Sequence, residues 1–338
     1  MSTDALASAP PKVAPPVPSV PSATSRNLKR VWQSTVVIVA LLLVWEVAGR
    51  TELRQKDGKG ETMPGLPVRF NLNWNTNRNA GSSVATDSNA TTYKALIAPQ
   101  ILPPPTAVFS KFIESIKPQE AFDKAKTNYA QWLVSGELIH DSISSMGRVL
   151  VGFLIGGGLG LILGLAMGAS DLVFKLMNPL VQILRPIPPI AYIPLSILWF
   201  GLGNRPAYFL IALGAFFPVL INTIAGVRNV DSIFIRAAQN LGANRTTMFL
   251  RVIIPAAMPY ILTGVKVGLG VAFIVVIVAE MIAVNNGLGY RITEAREFFW
   301  SDKIIVGMFT IGVLGLILDL MVSKLNNHLL RWHRGMEH

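Results

Sequence analysis

The sequence predicts an all-α integral membrane protein with about six transmembrane helices and a loop of two short helices between two of them. Two observations support this prediction. Hydrophobic residues make up 51% of the 338 residues and charged residues only 14%, whereas a soluble domain carries about a quarter charged residues. The apolar residues also gather in stretches of roughly 20, the length that crosses a bilayer as a helix.

The net charge of +11 and the sequence pI of about 10.0 would indicate a nucleic-acid partner for a soluble chain. In a membrane protein with several spans, however, the cytoplasmic loops carry surplus Lys and Arg. This explanation fits the mean hydropathy of +0.47. The chain has no Cys, and none of its four His lies in an apolar stretch, so we expect no disulfide and no metal site.

The first two segments of the chain differ sharply in composition. Residues 1–28 are rich in Pro, Ala, Ser and Val and have little to bury, which predicts a flexible cytoplasmic tail. Residues 29–48 begin with two basic residues and are then mostly apolar. They form the first predicted transmembrane helix, because a cleaved signal peptide would start nearer the N-terminus and have a shorter apolar region.

Residues 49–144 form a predicted extracytoplasmic segment with two parts. The first contains the polar, Asn-rich run NLNWNTNRNAGSSVATDSNATT, which favours a weakly structured loop. The second follows the letters ILPPP and has apolar residues at helical spacing, which predicts an amphipathic helix at the membrane surface. These apolar residues are Val108, Phe109, Phe112, Ile113 and Ile116.

Five further apolar stretches predict the remaining spans, within a core of residues 145–324. They cover residues 149–170, 186–202, 207–227, 261–284 and 304–322. Residues 325–338 then form a basic tail. Six spans place both termini on one side of the membrane, and the distribution of Lys and Arg over the short loops favours the cytoplasmic side.

Residues 228–257, between the fourth and fifth spans, are predicted to form two short helices joined at a glycine. Gly242 can take the left-handed conformation that ends a helix. Asn244 is the predicted N-cap of the second helix, which we expect to end at Pro255. The apolar stripe of the first helix is Phe234, Ala237, Ala238 and Leu241, and that of the second is Met248, Phe249, Val252 and Ile253.

This helix–Gly–helix unit could enter a DNA groove, lie on a membrane or insert into a partner protein. DNA binding is the weakest hypothesis, because spans tether the unit on both sides and its second helix has an apolar face to bury. Arg236, Arg245 and Arg251 could meet anionic lipid headgroups. A groove on a partner protein explains more, since the small Ala237 and Ala238 allow close contact.

Glycines recur at every fourth position in two of the spans. Such strips let another helix backbone approach closely in a membrane, and we favour packing inside the bundle over a subunit interface. The glycines are Gly156, Gly160, Gly164 and Gly168 in the second span, with Gly264 and Gly268 in the fifth.

Few charged residues lie within the spans or close to their ends, and those considered further are Glu46, Arg185, Lys266, Glu280 and Asp319. A charge at the centre of a span costs about 2.5–3.5 kcal/mol on insertion scales, so such residues usually face a cavity or a partner. Lys266 and Glu280 are therefore candidates for a translocation path. The alternatives are an ion pair with Asp319 for Lys266 and a structural ion pair for Glu280.

Catalytic signatures are missing from the sequence. It contains neither H-E-x-x-H nor G-x-S-x-G, and no His within a span could act as a base. It also lacks G-x-x-x-x-G-K-[ST], the loop that cradles nucleotide phosphates. If the protein uses ATP, another polypeptide must bind it.

The helix–Gly–helix unit resembles the coupling loop of bacterial binding-protein-dependent ABC importer permeases, whose pattern is E-A-A, three residues, G, nine residues and I-x-L-P. Here Arg236-Ala237-Ala238 is followed at the same spacing by Gly242 and then by Val252, Ile254 and Pro255. Arg236 replaces the Glu, and the two apolar positions are conservative changes. The stretches LRPIPPIAYIPLSILWFGLG, AEMIAVNNGLGYRI and ILPPPTAVF are similar to the nitrate/sulfonate/bicarbonate/taurine permeases.

The resemblance covers residues 95–330 and the first span. Residues 50–94 are an insertion, which is either a disordered loop or a dock for a binding protein. The resemblance implies a pair of permease copies, identical or different, in the bacterial inner membrane. It also implies two cytoplasmic ATPase subunits, which bind ATP and Mg and receive residues 232–255, and an extracytoplasmic substrate-binding protein.

The implied substrate is a small anion such as nitrate, bicarbonate or a sulfonate, because the family branch and the basic residues agree. The main alternative is a secondary transporter or channel that needs no ATPase. Such a protein would have no reason to carry the helix–Gly–helix unit at this spacing. An intramembrane enzyme is a third hypothesis, disfavoured by the missing catalytic groups.

Overall fold

A computed structural model describes residues 23–54, 68–70, 85–86, 92–95, 102–118 and 135–330. Long helices dominate this part of the chain and confirm the predicted all-α membrane fold class. Most of the predicted flexible tail (residues 1–22) and the end of the basic tail (residues 331–338) lie outside the described residues.

Helix α1, Ala23–Arg50, contains the first predicted span and begins inside the segment predicted to be a tail. The helix starts early because Leu, Lys and Arg just before the apolar region are good helix formers. Large apolar side chains from Val36 to Val47 are exposed. At the far end of α1, Glu46 pairs with Arg50 at 2.5 Å, and both side chains bond Thr106.

Four short strands lie in the predicted insertion: β1 Thr51–Arg54, β2 Val68–Phe70, β3 Ala85–Thr86 and β4 Thr92–Ala95. They form one antiparallel sheet in the order β2-β1-β4-β3, with Glu52 opposite both Arg69 and Ala95. The sequence analysis did not predict this sheet. Strands of two to four residues are too short to show the alternating pattern by which strands are recognised.

Helix α2, Pro105–Ile116, is the predicted amphipathic helix. Val108, Phe112 and Ile116 on one face pack against buried residues of the helical bundle. Phe109 remains 63% exposed. The helix is therefore attached to the bundle by one face and leaves an apolar side chain free on another.

In the described part of the chain, nine further α-helices build the bundle. They are α3 Glu137–Ala169, α4 Asp171–Leu184, α5 Ile193–Phe200, α6 Asn204–Arg228, α7 Ser232–Asn240, α8 Arg245–Met248, α9 Ile254–Ala283, α10 Leu288–Glu297 and α11 Ser301–Leu329. Within the described residues, four helices are long and apolar enough to cross a membrane: α3, α6, the continuous helix Arg245–Ala283, and α11. The last of these extends into the predicted basic tail.

In the third predicted span, residues 186–202, only residues 189–200 are helical, which is too short to cross a membrane alone. A short 3-10 turn, Pro189–Tyr192, leads into α5, and this part is bent by 82° relative to α4. Prolines at positions 186, 188 and 189 explain the break, because proline donates no backbone N–H and disfavours a helical conformation in the residue before it. The two parts together could form a fifth, broken span.

Helix α6 lies between α3 and α9 at the centre of the bundle, and its Leu210 and Ile211 are fully buried. Glycine permits the close contact on both sides. A Cβ at Gly156 would lie 1.9 Å from the carbonyl oxygen of Ala212, and Gly264 of α9 faces α6 in the same way. The glycine strips therefore pack within one chain, which confirms the internal-packing interpretation.

Candidate functional site

Residues 228–257, called the coupling segment below, begin with a helix held at both ends by hydrogen bonds. The Asp231 carboxylate accepts from the Ile233 N–H at 2.9 Å, at the start of α7. At its end, Gly242 has φ +76°. The N–H of Ala243 donates to Ala238 O at 3.0 Å, and that of Gly242 to Gln239 O at 2.9 Å. This is a Schellman turn, so the predicted left-handed glycine is confirmed.

The second half of the coupling segment starts as predicted but ends differently. The Asn244 side chain accepts from the Thr247 N–H at 2.7 Å, which confirms the N-cap. The predicted stop at Pro255 was wrong, because the helix continues into α9. A wider π turn, Phe249–Ile253, precedes the proline. There Ile254 donates to Phe249 O, and Pro255 falls in the first turn of α9, where a missing N–H is tolerated.

The two halves of the coupling segment bury different amounts of apolar surface. Phe249 and Ile253 pack against a buried cluster at the ends of α6 and α9. In the first half, by contrast, Phe234 of α7 is 52% exposed and Leu241, which directly follows α7, is 88% exposed. The second half is thus fastened to the bundle, and the first half presents an apolar face to its surroundings.

The remaining predicted coupling residues are divided between these two halves. In α7, Ala237 is exposed and Ala238 is buried, and the exposed Arg236 donates to Ser232 Oγ at 3.1 Å. Farther along, Val252, Ile254 and Pro255 are partly buried. The structure therefore brings all seven predicted residues into one compact segment; their role in coupling stays a prediction.

A buried polar cluster lies at the other end of α6 and α9. Its centre is Arg148 of α3, 4% exposed, whose Nη1 donates to Oε1 of the fully buried Glu280 at 2.6 Å. Arg148 Nε donates to Asn204 Oδ1 at 2.8 Å, at the first residue of α6. Arg148 also bonds the backbone and side-chain oxygens of Asn286. One guanidinium thus ties together α3, α6, α9 and the loop after α9.

The start of α10 is held by the same polar cluster. Ser145 Oγ donates to Glu280 Oε2 at 2.8 Å and accepts from the Leu288 N–H at 3.0 Å. Glu280 Oε2 also accepts from the Gly289 N–H, and Asp141 Oδ1 accepts from the Gly287 N–H. Side chains therefore satisfy the first backbone donors of α10, which otherwise lack partners at a helix start.

Arg291 of α10 extends this polar cluster toward the surface. Its guanidinium bonds Asp141 at 2.9 Å, Glu137 at 2.6 Å and Glu294 at 2.7 Å. Burial acts to lower the pKa of Arg291, but the hydrogen bond and charge of Asp141, with the charge of Glu137, raise it above its ordinary value. The guanidinium therefore remains charged and holds α10 against α3.

Most of the polar cluster is not predicted from the sequence. Glu280 is a predicted site residue, whereas Asp141, Ser145 and Arg148 are not. Their spacing at i, i+4 and i+7 places them on one helix face, and this was the available signal. In the structure, Glu280 forms an ion pair with Arg148, which is the structural alternative given for this residue. A path role for Glu280 stays a prediction.

Lys266, the other candidate path residue, lies on α9 between the two ends. Its Nζ lies 3.0 Å from Asp319 Oδ1 and 2.9 Å from Ser323 Oγ, both on α11. The ion pair that sequence analysis offered as an alternative is thus formed. A path role for Lys266 is compatible with this pair and stays a prediction.

Comparison with known proteins agrees with this architecture. The sequence pattern of the family described as "Binding-protein-dependent transport system inner membrane component" matches residues 156–332. The matched region contains the whole coupling segment and Glu280. The chain belongs to this family.

Three relatives of this inner membrane component carry names that state a substrate. The taurine transport system permease protein of Escherichia coli is 36% identical over 238 residues, covering 70% of this chain and 82% of that protein. A Bacillus subtilis permease protein named for aliphatic sulfonates transport is 39% identical and covers 62% and 76%. The nitrate import permease protein of Leptolyngbya laminosa is 35% identical and covers 53% and 64%.

Membership gives the chain a place in a larger assembly. It is a multi-pass inner membrane protein and the permease component of an ABC importer. Arg148 and its neighbours on α3 precede the matched region, although they bond residues inside it. The structure therefore adds a group of residues that the family match by itself does not include.

Proposed function

We propose that this chain forms, with a second permease copy, the membrane passage of an ATP-driven importer for a small anion such as nitrate, bicarbonate, taurine or another sulfonate. Two cytoplasmic ATPase subunits bind ATP and Mg and receive the coupling segment. An extracytoplasmic binding protein delivers the anion. Both termini of the chain then lie in the cytoplasm.

The exposed apolar face of α7 is the observation that carries this proposal. Phe234 and Leu241 remain exposed on a helix whose two ends are fixed by hydrogen bonds. A rigid helix with a free apolar face fits a groove on another protein. Because Phe249 and Ile253 anchor the following turns to α6 and α9, a displacement of α7 would be passed on to the spans.

The substrate class is supported by chemistry shared among the relatives. Their names concern taurine, aliphatic sulfonates and nitrate, all of which carry a negatively charged group of several oxygens. The net charge of +11 is compatible with such substrates.

Alternating access further requires two states of the permease pair, which the ATPases and the binding protein favour differently.

Co-purification tests the contact with the ATPase. The tagged chain is expressed with its candidate ATPase, and we expect the two to elute together in detergent. Leu241→Asp should abolish co-elution, because it places a charge in the apolar contact. Gln239→Asp, an exposed position on another side of α7, is the matched control and should leave the complex intact.

Uptake measurements test the substrate class. Cells that contain the complete transporter should accumulate labelled taurine, nitrate or bicarbonate in an ATP-dependent way, and cells with the Leu241→Asp chain should not. Co-elution and uptake that are both unaffected by Leu241→Asp would contradict the proposed role of α7.

A further inference from the structure

The ion pair between Lys266 and Asp319 lies within the apolar part of the bundle. Gly264, half a turn from Lys266, packs against Asn222 of α6. Asn222 precedes the end of that helix at Arg228 by six residues, or about 9 Å at 1.5 Å per residue. The pair is therefore about two turns inside the coupling end of the spans.

Both charged side chains are nevertheless accessible on the single chain. The side chain of Lys266 is 43% exposed and that of Asp319 is 53% exposed. Charged groups inside membrane spans are costly in lipid, and they almost always face a water-filled cavity or the interior of a bundle. The surface that carries this pair is therefore turned toward water or protein in the assembled transporter.

The exposed stripe of α9 around Lys266 differs from the exposed stripe of α3. On α9 it mixes polar or small residues, namely Tyr260, Thr263, Lys266 and Gly270, with the apolar Val267 and Ile274, and a Cβ at Gly270 would meet no atom within 4 Å. On α3 it consists of large aliphatic side chains, namely Leu150, Leu154, Leu159 and Ile162. The α3 stripe suits lipid along its length, whereas the α9 stripe carries polar and small side chains as well as apolar ones.

A small cavity adjoins the pair. It has a volume of about 60 Å³ and is lined by both charged residues together with Gly270, Phe273 and Gly315. The Lys266 ammonium has three N–H donors, of which Asp319 and Ser323 take two. One donor therefore remains for a further acceptor on the open side.

We propose that Lys266 binds the transported anion in the passage and that Asp319 is the counter-ion that holds the ammonium when no substrate is bound. An anion oxygen takes the place of Asp319 Oδ1 on Nζ, while Ser323 Oγ keeps the ammonium in position. No covalent bond changes and no proton moves. The inference rests on the proposed anion import.

The counter-ion Asp319 weakens anion binding at Lys266, which allows the anion to leave the site. A free Lys in a site of low dielectric constant would bind an anion strongly. Competition from Asp319 lowers that affinity, and conduction requires binding that is favourable enough for entry and weak enough for exit. Asp319 would thus set the affinity, whereas Lys266 would set the sign of the charge that is accepted.

Import by the complete transporter in proteoliposomes, with binding protein and ATP, tests the inference. In Lys266→Met/Asp319→Asn no charge is left unpaired, so we expect normal assembly and thermal stability but at least tenfold slower import of the anion. Lys324→Met, which removes a neighbouring exposed positive charge of α11, is the matched control and should import normally. Asp319→Asn alone should lower the KM at least threefold, because Lys266 loses its competitor.

The outcomes separate the inference from the proposed function. If the wild type imports an anion and the double variant does so within twofold of it, the pair is structural and the inference is wrong. Failure of the double variant to assemble, or dissociation of the permease pair, would likewise assign these residues a structural role. An unchanged or raised KM in Asp319→Asn would overturn the counter-ion role. A wild type that imports no anion would overturn the proposed function and the inference with it.

Discussion

The coupling segment and the polar cluster occupy opposite ends of the same two helices, α6 and α9. One exposes apolar side chains, and the other buries charged ones. At the coupling end, Phe234 and Leu241 expose apolar surface. At the other end, Arg148 and Glu280 are charged yet almost completely buried. Ile254 and Glu280 are separated by 26 residues of α9, about 39 Å of helix.

The difference shows which end depends on other molecules. The polar cluster satisfies itself, since its carboxylates, guanidinium and backbone N–H groups bond one another, and such a network makes a structure rigid. The apolar face of α7 has no such partners in the described part of the chain. One end is therefore complete within the chain, and the other presents the apolar face for which we propose a second protein.

Each end also contains a helix that stops in a Schellman turn, but the residue in the left-handed conformation differs. After α7 this residue is Gly242, with φ +76°; after α10 it is Phe299, with φ +56°. The turn at Phe299 has the same pair of hydrogen bonds, from Trp300 to Ala295 O at 2.8 Å and from Phe299 to Arg296 O at 3.2 Å. Left-handed backbone is costly for a bulky residue, so the turn at Phe299 carries a strain that the coupling end avoids.

Removal of the central charge of the polar cluster should have the largest effect. Arg148→Met leaves Glu280 buried without its partner, which costs about 3–5 kcal/mol when one member of a buried pair is removed. We expect a strong loss of folded protein and a lower unfolding temperature in detergent. In Arg148→Met/Glu280→Gln no charge remains unpaired, and stability should largely return. Normal stability of Arg148→Met would contradict the difference drawn between the two ends.

Adding one methyl group tests the close packing of α3 against α6, the helix that runs between the two ends. Gly156→Ala places a Cβ 1.9 Å from Ala212 O, and overpacking of this kind costs about 1–3 kcal/mol. Thermal unfolding in detergent should show the loss. Gly158→Ala is the matched control, because a Cβ there meets no atom within 4 Å. If both variants unfold at the same temperature, the close packing between α3 and α6 does not contribute to stability as expected.

A substitution in the coupling turn should affect transport more than stability. Gly242→Val forces a branched side chain into left-handed backbone, at a local cost of about 1–2 kcal/mol, and Gly242 is exposed. We expect nearly unchanged thermal stability but reduced uptake for each ATP hydrolysed, because α7 is misplaced. Gly242→Asn, which tolerates this conformation, should retain more coupling. Full uptake in the Val variant would argue against a coupling role.

The smallest effect is expected at the strained turn of the other end. Phe299→Gly removes the left-handed strain of about 1–2 kcal/mol but makes the unfolded chain more flexible, which costs up to about 1 kcal/mol. The net change should be a stabilisation below about 1 kcal/mol, visible as a slightly higher unfolding temperature. Phe298→Gly, at φ −94°, has no strain to release and should destabilise. A destabilised Phe299→Gly would show that the aromatic side chain itself contributes more than its backbone costs.

The sequence by itself determined the features that depend on near neighbours. The long apolar segments, the left-handed Gly242, the N-cap at Asn244 and the helical spacing of α2 all follow from residues within a few positions of one another. Local hydrogen bonds and helix periodicity act over such distances. For the same reason, the family resemblance could be found from the spacing of the coupling segment.

Tertiary structure alone decided which distant residues meet. Arg148 and Glu280 are 132 positions apart, Lys266 and Ser323 are 57 apart, and strand β1 pairs with β4 at the other end of the insertion. It also decided that the helix passes through Pro255, because the π turn before the proline absorbs the missing N–H. Charges that look isolated along the chain find partners only when helices pack, since burial makes an unpaired charge too costly to leave in place.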